Sequence, residues 1–316
     1  MIKEETVFIL GAGASVPYGF PTAMNLRTKI CSDNSFAHVY IKNMYFASEG
    51  QKSLLISEDK KFRHKFADSE VKSIDSFLAI NKDNQSFNKI GKLSIGYHIL
   101  NFEASSKLTN NWLQTLYNKM LEGLITSNGF KKFNLNKISF ITFNYDRTLE
   151  QFFLKALSNT FSHAPYDEIV QIVNTLPIHH VYGSISSLPW QNADGIAYGQ
   201  EPDTNTMNIA ANNLKTIYEI NNNENDDLEL SDAITWIKNA KKVFVLGFGY
   251  DPENVKILDI PDSIPLHTDV FGTAFGLELG QIEKAKECFF LPKRNTNRIK
   301  IMDTHADCLK LLNNCL

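Results

Sequence analysis

The chain has 316 residues, 43% of them hydrophobic and 21% charged, with a formal net charge of −3. That is enough for one large α/β domain with an insertion, and such a balance supplies no basic field for generic nucleic-acid binding. Four scattered cysteines (Cys31, Cys288, Cys308, Cys315) with no C-x-x-C pair argue against a structural zinc site and a disulfide framework, and no apolar run approaches a signal-peptide core or a membrane span.

In chain order, residues 7–10 (VFIL) form a continuous apolar run closed by Gly11-Ala12-Gly13, as expected of a strand buried on both faces. Residues 33–135 hold no strand of that quality. Their clearest pattern is helical: Leu108, Trp112, Leu116, Met120 and Leu124 recur every four residues, widened by Leu113, Tyr117 and Leu121 into one amphipathic stripe. This segment reads as a mostly helical insertion between the first two strands of a single domain spanning residues 1–316. Further buried strands are expected at 138–142, 243–246, 267–271 and 298–302, separated by helical patterns at 147–157, 277–287 and 305–314. Residues 221–227 (NNNENDD) contain nothing apolar and read as a surface loop. Alternation of buried strands with helices implies a doubly wound parallel sheet.

The glycine turn opens GAGASVPYGFPT, residues 11–22. Glycines after a strand let backbone N–H groups approach a phosphate, and a following helix N-terminus favours its charge. The third glycine of G-x-G-x-x-G is absent, so the turn alone equally fits a plain strand–helix junction. In ITFNYDRTLE, residues 141–150, Asn144 and Asp146 lie just past a strand end, where doubly wound sheets bind ligands. Helix capping accounts for one such polar residue; two at alternate positions ask for more. VFVLGFGYDPEN, residues 243–254, repeats the strand–glycine pattern, and residues 272–276 (GTAFG) close another strand in the same style.

Taken in order, GAGAS, GFPT, TFNYD, H-x-Y-G-S and LGFGY followed by Asn254 resemble the sirtuin-like domains of bacterial anti-phage defence proteins. The resemblance spans residues 7–276, and TFNYD, similar to the sirtuin T-x-N-x-D element, is its most specific part. It implies a Rossmann-like, sirtuin-type sheet binding nicotinamide adenine dinucleotide (NAD) across its strand ends. Gly11, Ala12, Gly13, Ser15, Thr22, Gly247, Gly249, Asn254 and Thr273 would contact the dinucleotide, and Asn144, Asp146, His180 and Tyr182 would serve the chemistry. The deacylases of that family carry paired zinc-binding cysteines and an Asp-Phe-Arg segment after the glycine loop. This chain lacks the cysteines and reads Thr22-Ala23-Met24 at the second place, which favours the defence-type hydrolases. NAD is then a substrate, and no metal is expected.

Residues 178–184 (IHHVYGS) place Tyr182 where that family has a histidine before the glycine. Period-two alternation puts His180 and Tyr182 on one face of an extended segment and His179 on the other. A histidine base contributes about 10²–10⁴ in rate, whereas a tyrosine with a pKa near 10 stays protonated at neutral pH. His180 is therefore the expected base or water-positioner and Tyr182 the ribose contact; the competing reading is that both rings fill a strand-end pocket.

Two further functions stand beside the hydrolase: a nucleotide-sensing module without turnover, and an effector held shut until a partner binds. The expected setting is cytoplasmic, as a homo-oligomer or in complex with a defence-system partner protein, without direct nucleic-acid or membrane contact.

Overall fold

A computed structural model describes residues 1–42, 44, 47–109, 111–222 and 226–316. Six strands form one all-parallel sheet: β1 (Thr6–Leu10), β2 (Ile138–Thr142), β3 (Ile178–His180), β4 (Lys242–Leu246), β5 (Asp269–Gly272) and β6 (Ile299–Ile301), in the order β3-β2-β1-β4-β5-β6. Helices flank the sheet in the doubly wound manner anticipated from the alternating pattern. All five residues of β1 are buried, as a strand with neighbours on both edges and helices on both faces requires. The parallel register aligns Phe140, Phe8, Phe244 and Phe271 in one row across four strands, with adjacent ring centroids 4.9–5.5 Å apart. That row is the centre of the core.

Between β1 and β2 the chain builds α1 (Ala23–Ser32), α2 (Ser35–Lys42), α3 (Glu49–Asp68), α4 (Ile74–Ile80), α5 (Gln85–Phe102) and α6 (Trp112–Leu121). Next come α7 (Thr148–Thr160) and α8 (Tyr166–Asn174) before β3, and α9 (Thr204–Asn213), α10 (Ile217–Asn222) and α11 (Asp226–Asn239) before β4. Finally, α12 (Pro252–Ile257), α13 (Leu279–Glu287) and α14 (Cys308–Cys315) follow β4, β5 and β6. Among the described residues of 33–135 there are helices and short 3₁₀ turns and no strand. This segment is tied into the rest of the chain. A Cβ on Gly96 of α5 would stand 2.7 Å from the Ala210 Cβ of α9, so glycine allows these two helices their close approach.

The amphipathic helix expected over 108–124 is shorter than its stripe. Asn111 caps α6 by accepting from the Trp112 N–H, and Gly123 with φ 77 lies beyond its end. Leu108 and Leu124 are buried all the same, because the turns on either side fold back into the same core. The buried face meets the glycine turn: Trp112 Nε1 donates to Ala14 O at 2.8 Å, and the Leu113 N–H donates to the Tyr18 hydroxyl at 3.0 Å. The polar stretch 221–227 is not wholly loop; Asn221 and Asn222 end α10, Asp226 and Asp227 begin α11, and residues 223–225 lie outside the described residues. No described helix is long and apolar enough to cross a membrane.

Candidate functional site

In this strand order the chain's direction across the sheet reverses between β1 and β4, and ligands of such sheets sit at the carboxyl ends beside that switch point. There the two glycine turns meet each other. The Gly11 N–H donates to Leu246 O at 3.0 Å and the Gly13 N–H to Gly247 O at 2.9 Å. Gly247 has φ 57, and a Cβ on it would lie 2.0 Å from the Ala14 N; one on Gly13 would lie 2.7 Å from the Gly247 Cα. Glycine is required here so that two backbones can touch. The phosphate-cradling expectation for Gly11, Gly13 and Gly247 thus meets a different arrangement: the two amides are spent on the neighbouring turn. Two short 3₁₀ turns follow, and Thr22 caps α1 by accepting from the Asn25 N–H.

Three of the expected residues come together at the ends of β1 and β2. The buried Asn144 amide donates to Gly11 O at 3.0 Å and to Ser15 Oγ at 2.9 Å, and its N–H donates to Thr142 Oγ1 at 3.1 Å. Asp146 accepts at 3.1 Å from the N–H of Thr148, the first residue of α7, and lies in the field of Ser15. Burial raises the Asp146 carboxyl above the ordinary range, against the pull of the Thr148 and Ser15 hydrogen bonds and of His180. Ser15, Thr142, Asn144, Asp146 and Thr148 line a cavity of about 10 Å³ closed on its other side by Tyr18 and Trp112. A space that size is on the order of one water molecule.

His180 and Tyr182 do not line this cavity. The strand β3 ends at His180, and Val181 and Tyr182 already belong to the turn that Gly183 completes with φ 70. The two rings therefore do not share a strand face. His180 Nδ1 lies 2.9 Å from Asn144 O and Nε2 lies 2.9 Å from Glu150 Oε1. A carbonyl oxygen only accepts, so Nδ1 carries a proton; a carboxylate also only accepts, so Nε2 carries one too. Burial pushes His180 down, but the Glu150 charge and hydrogen bond and the Asn144 carbonyl lift it above the ordinary imidazole value. Glu150 is held below its ordinary value: burial opposes this, and the charge and hydrogen bond of His180 prevail. Both shifts describe one buried imidazolium–carboxylate pair with no ring lone pair left over.

Tyr182 instead donates to Asn254 Oδ1 at 2.5 Å, joining the β3 turn to α12. Its ring packs on Phe143 at 5.6 Å and Tyr145 at 6.4 Å, and Phe143 packs on Phe248 at 5.3 Å. All four rings are buried. They fill the space above the ends of β2, β3 and β4. Thr273 serves β4, accepting from the Gly247 N–H at 2.7 Å, while Gly249 is exposed with open space beside it.

No family model matches the chain, and no curated protein matches it.

Several residues of the site escaped the sequence reading. Glu150 stands one helical turn after Asp146, a spacing that carries both toward the same end of α7, and that was the available signal. Arg147 forms a fully buried pair with Glu103 of the insertion, Nε to Oε1 at 3.0 Å, and also donates to Ser187 O at 3.2 Å. Asp75 of α4 accepts from the Tyr145 hydroxyl at a part-buried contact. No local pattern marks Glu103 or Asp75. Among the described residues no group of histidine, cysteine and carboxylate side chains is arranged to hold a metal ion.

Proposed function

We propose that this chain is an NAD glycohydrolase, splitting the nicotinamide–ribose bond as an NAD-depleting effector of bacterial anti-phage defence, and that assembly or a partner protein opens its site. The observation that carries this reading is the meeting of Ser15, Asn144 and Asp146 at the carboxyl ends of β1 and β2, beside the switch point of a Rossmann-like sheet. Nicotinamide leaves as a neutral ring that takes the bonding electrons, so no acid has to protonate it. The enzyme's task is to stabilise the cationic ribose and place a water, which adds at the anomeric carbon and gives up one proton to the Asp146 carboxylate or to solvent. Asp146, when ionised, supplies the negative field. Asn144 supplies a donor and an acceptor for ribose hydroxyls or the water.

Gating follows from size. Pockets for ligands of this class measure roughly 300–1,000 Å³, whereas the cavity here is about 10 Å³ and aromatic rings cover the neighbouring strand ends. The dinucleotide requires Phe143, Tyr145, Tyr182 or Phe248 to move. A second reading, NAD sensing without turnover, is favoured by one observation: His180 has both ring nitrogens engaged.

The test is purified protein incubated with NAD, alone and with the products of neighbouring genes, with free nicotinamide measured and NAD binding followed by calorimetry. The expected result is nicotinamide release that Asn144→Ala abolishes. Losing two net hydrogen bonds, that variant also gives up about 1–3 kcal/mol of stability. Binding without release selects the sensing module; neither binding nor release under any of these conditions removes both readings, and wild-type turnover in Asn144→Ala removes the site assignment.

A further inference from the structure

We propose that Glu150 is a positioning residue which, acting through His180, fixes the main chain at Asn144 and so the placing of the Asn144 and Asp146 side chains. The inference rests on the hydrolase reading for its kinetic consequence alone; its structural content stands apart.

Asn144 lies past the end of β2, outside the strand ladder that holds residues 138–142. Its carbonyl receives the His180 Nδ1–H from β3, and His180 is in turn held by the Glu150 carboxylate from α7. Three elements are thereby connected through one imidazole ring, with side-chain exposures of only 11% at His180 and 10% at Glu150. The charges facing this pair are Asp146, beside His180, and Arg147, beside Glu150. A ring pinned at both nitrogens loses its freedom to rotate, and that rigidity passes to the Asn144 peptide. In such a shell a displacement of about 1 Å at the reacting groups costs about 100-fold in rate. The same pinning explains how a histidine can matter to this site without being its base.

Substitution at Glu150 separates charge from geometry. In Glu150→Gln the amide N–H can donate to Nε2 of a neutral ring while Nδ1–H still donates to Asn144 O, so the connection survives with its charge removed. Glu150→Ala removes the connection itself.

The experiment follows the His180 ring by NMR titration and the Asn144 and Thr148 amides by hydrogen exchange, in the wild type, Glu150→Gln, Glu150→Ala and Glu150→Asp. The titration midpoint of His180 should lie above the ordinary imidazole value in the wild type and fall below it in Glu150→Gln. Exchange at Asn144 and Thr148 should stay near wild type in Glu150→Gln and rise about tenfold or more in Glu150→Ala. Where the wild type releases nicotinamide, Glu150→Ala should lower kcat by about 10- to 100-fold with little change in KM, and Glu150→Asp should recover part of the loss. Unchanged exchange and an unchanged His180 midpoint across the variants overturn the proposal, whatever the activity. If Glu150→Ala does not fold, Glu150→Asp takes its place in the exchange comparison: faster exchange at Asn144 and Thr148 than in Glu150→Gln upholds the positioning role, and exchange at the wild-type level overturns it. Should the wild type turn over no NAD while exchange and titration behave as stated, the positioning role stands and the hydrolase reading fails.

Discussion

Single side chains here are decided by what surrounds them rather than by their type. His98 on α5 is 3% exposed, and burial depresses its pKa to about 4, with Asp33 opposing and Lys29 reinforcing the fall. Between about pH 6.5 and about pH 4 the unfolded chain binds a proton there that the folded chain refuses. Stability is therefore lost as pH falls through that window, by on the order of 3 kcal/mol from this group. Asp75 and Asp146 have raised values and act in the opposite sense, since their ionisation in the unfolded chain erodes stability as pH rises. The measurement is thus a difference: denaturant midpoints of the wild type and His98→Leu at pH 7 and pH 4.5. The variant should lose less on acidification, and equal losses would contradict the burial argument. Tyr182→Phe is a milder case. It removes the hydroxyl that bonds Asn254 and should cost about 0.5–1.5 kcal/mol, with the ring packing kept.

Elements meet through contacts that no local pattern announces. The short helix α4 belongs to the insertion, yet its Asp75 reaches Tyr145 on the segment after β2. Burial raises the Asp75 carboxyl, with the Tyr145 hydrogen bond acting against it, and burial and Asp75 together drive the Tyr145 phenol well above its ordinary value. Tyr145→Phe would leave a part-buried carboxyl without its donor, which should cost about 1 kcal/mol. Asp75→Asn keeps a hydrogen bond and should cost less. A double-mutant cycle between Tyr145→Phe and Asp75→Ala should show coupling of at least about 0.5 kcal/mol; additive losses would mean that α4 is not held to the β2 segment through this pair. The lengths of the elements show the same dependence. Residues 267–271 and 298–302 read as strands, and β5 and β6 form one or two residues away from those bounds, where parallel partners are present to pair.

At the scale of the whole molecule, one sheet collects motifs that lie far apart along the chain. Gly11, Asn144, His180 and Gly247 each follow or end a strand, and the order β3-β2-β1-β4 sets those four ends side by side. The sequence has no paired cysteines and no H-E-x-x-H spacing, and chelator treatment is expected to leave the thermal midpoint and any nicotinamide release unchanged. A stoichiometric, tightly bound zinc in the purified protein would contradict this.

The fold class was legible in the residues alone. Short apolar runs such as VFIL, ISFIT and VFVL, each closed by a turn or polar residues, fit strands covered on both faces, and helical patterns between them favour parallel crossovers. The sequence also singled out Asn144 and Asp146, because capping uses one polar residue past a buried strand end and leaves the second unexplained; Ser15 entered only through the family resemblance. Tertiary structure alone decided the rest. Gly247 closes on Ala14, Arg147 finds Glu103, Tyr145 finds Asp75, and the Tyr182 hydroxyl finds Asn254. Periodicity reports which face of an element is buried. It does not report what a distant segment places against that face, and a buried charge or hydroxyl takes whichever partner packing delivers.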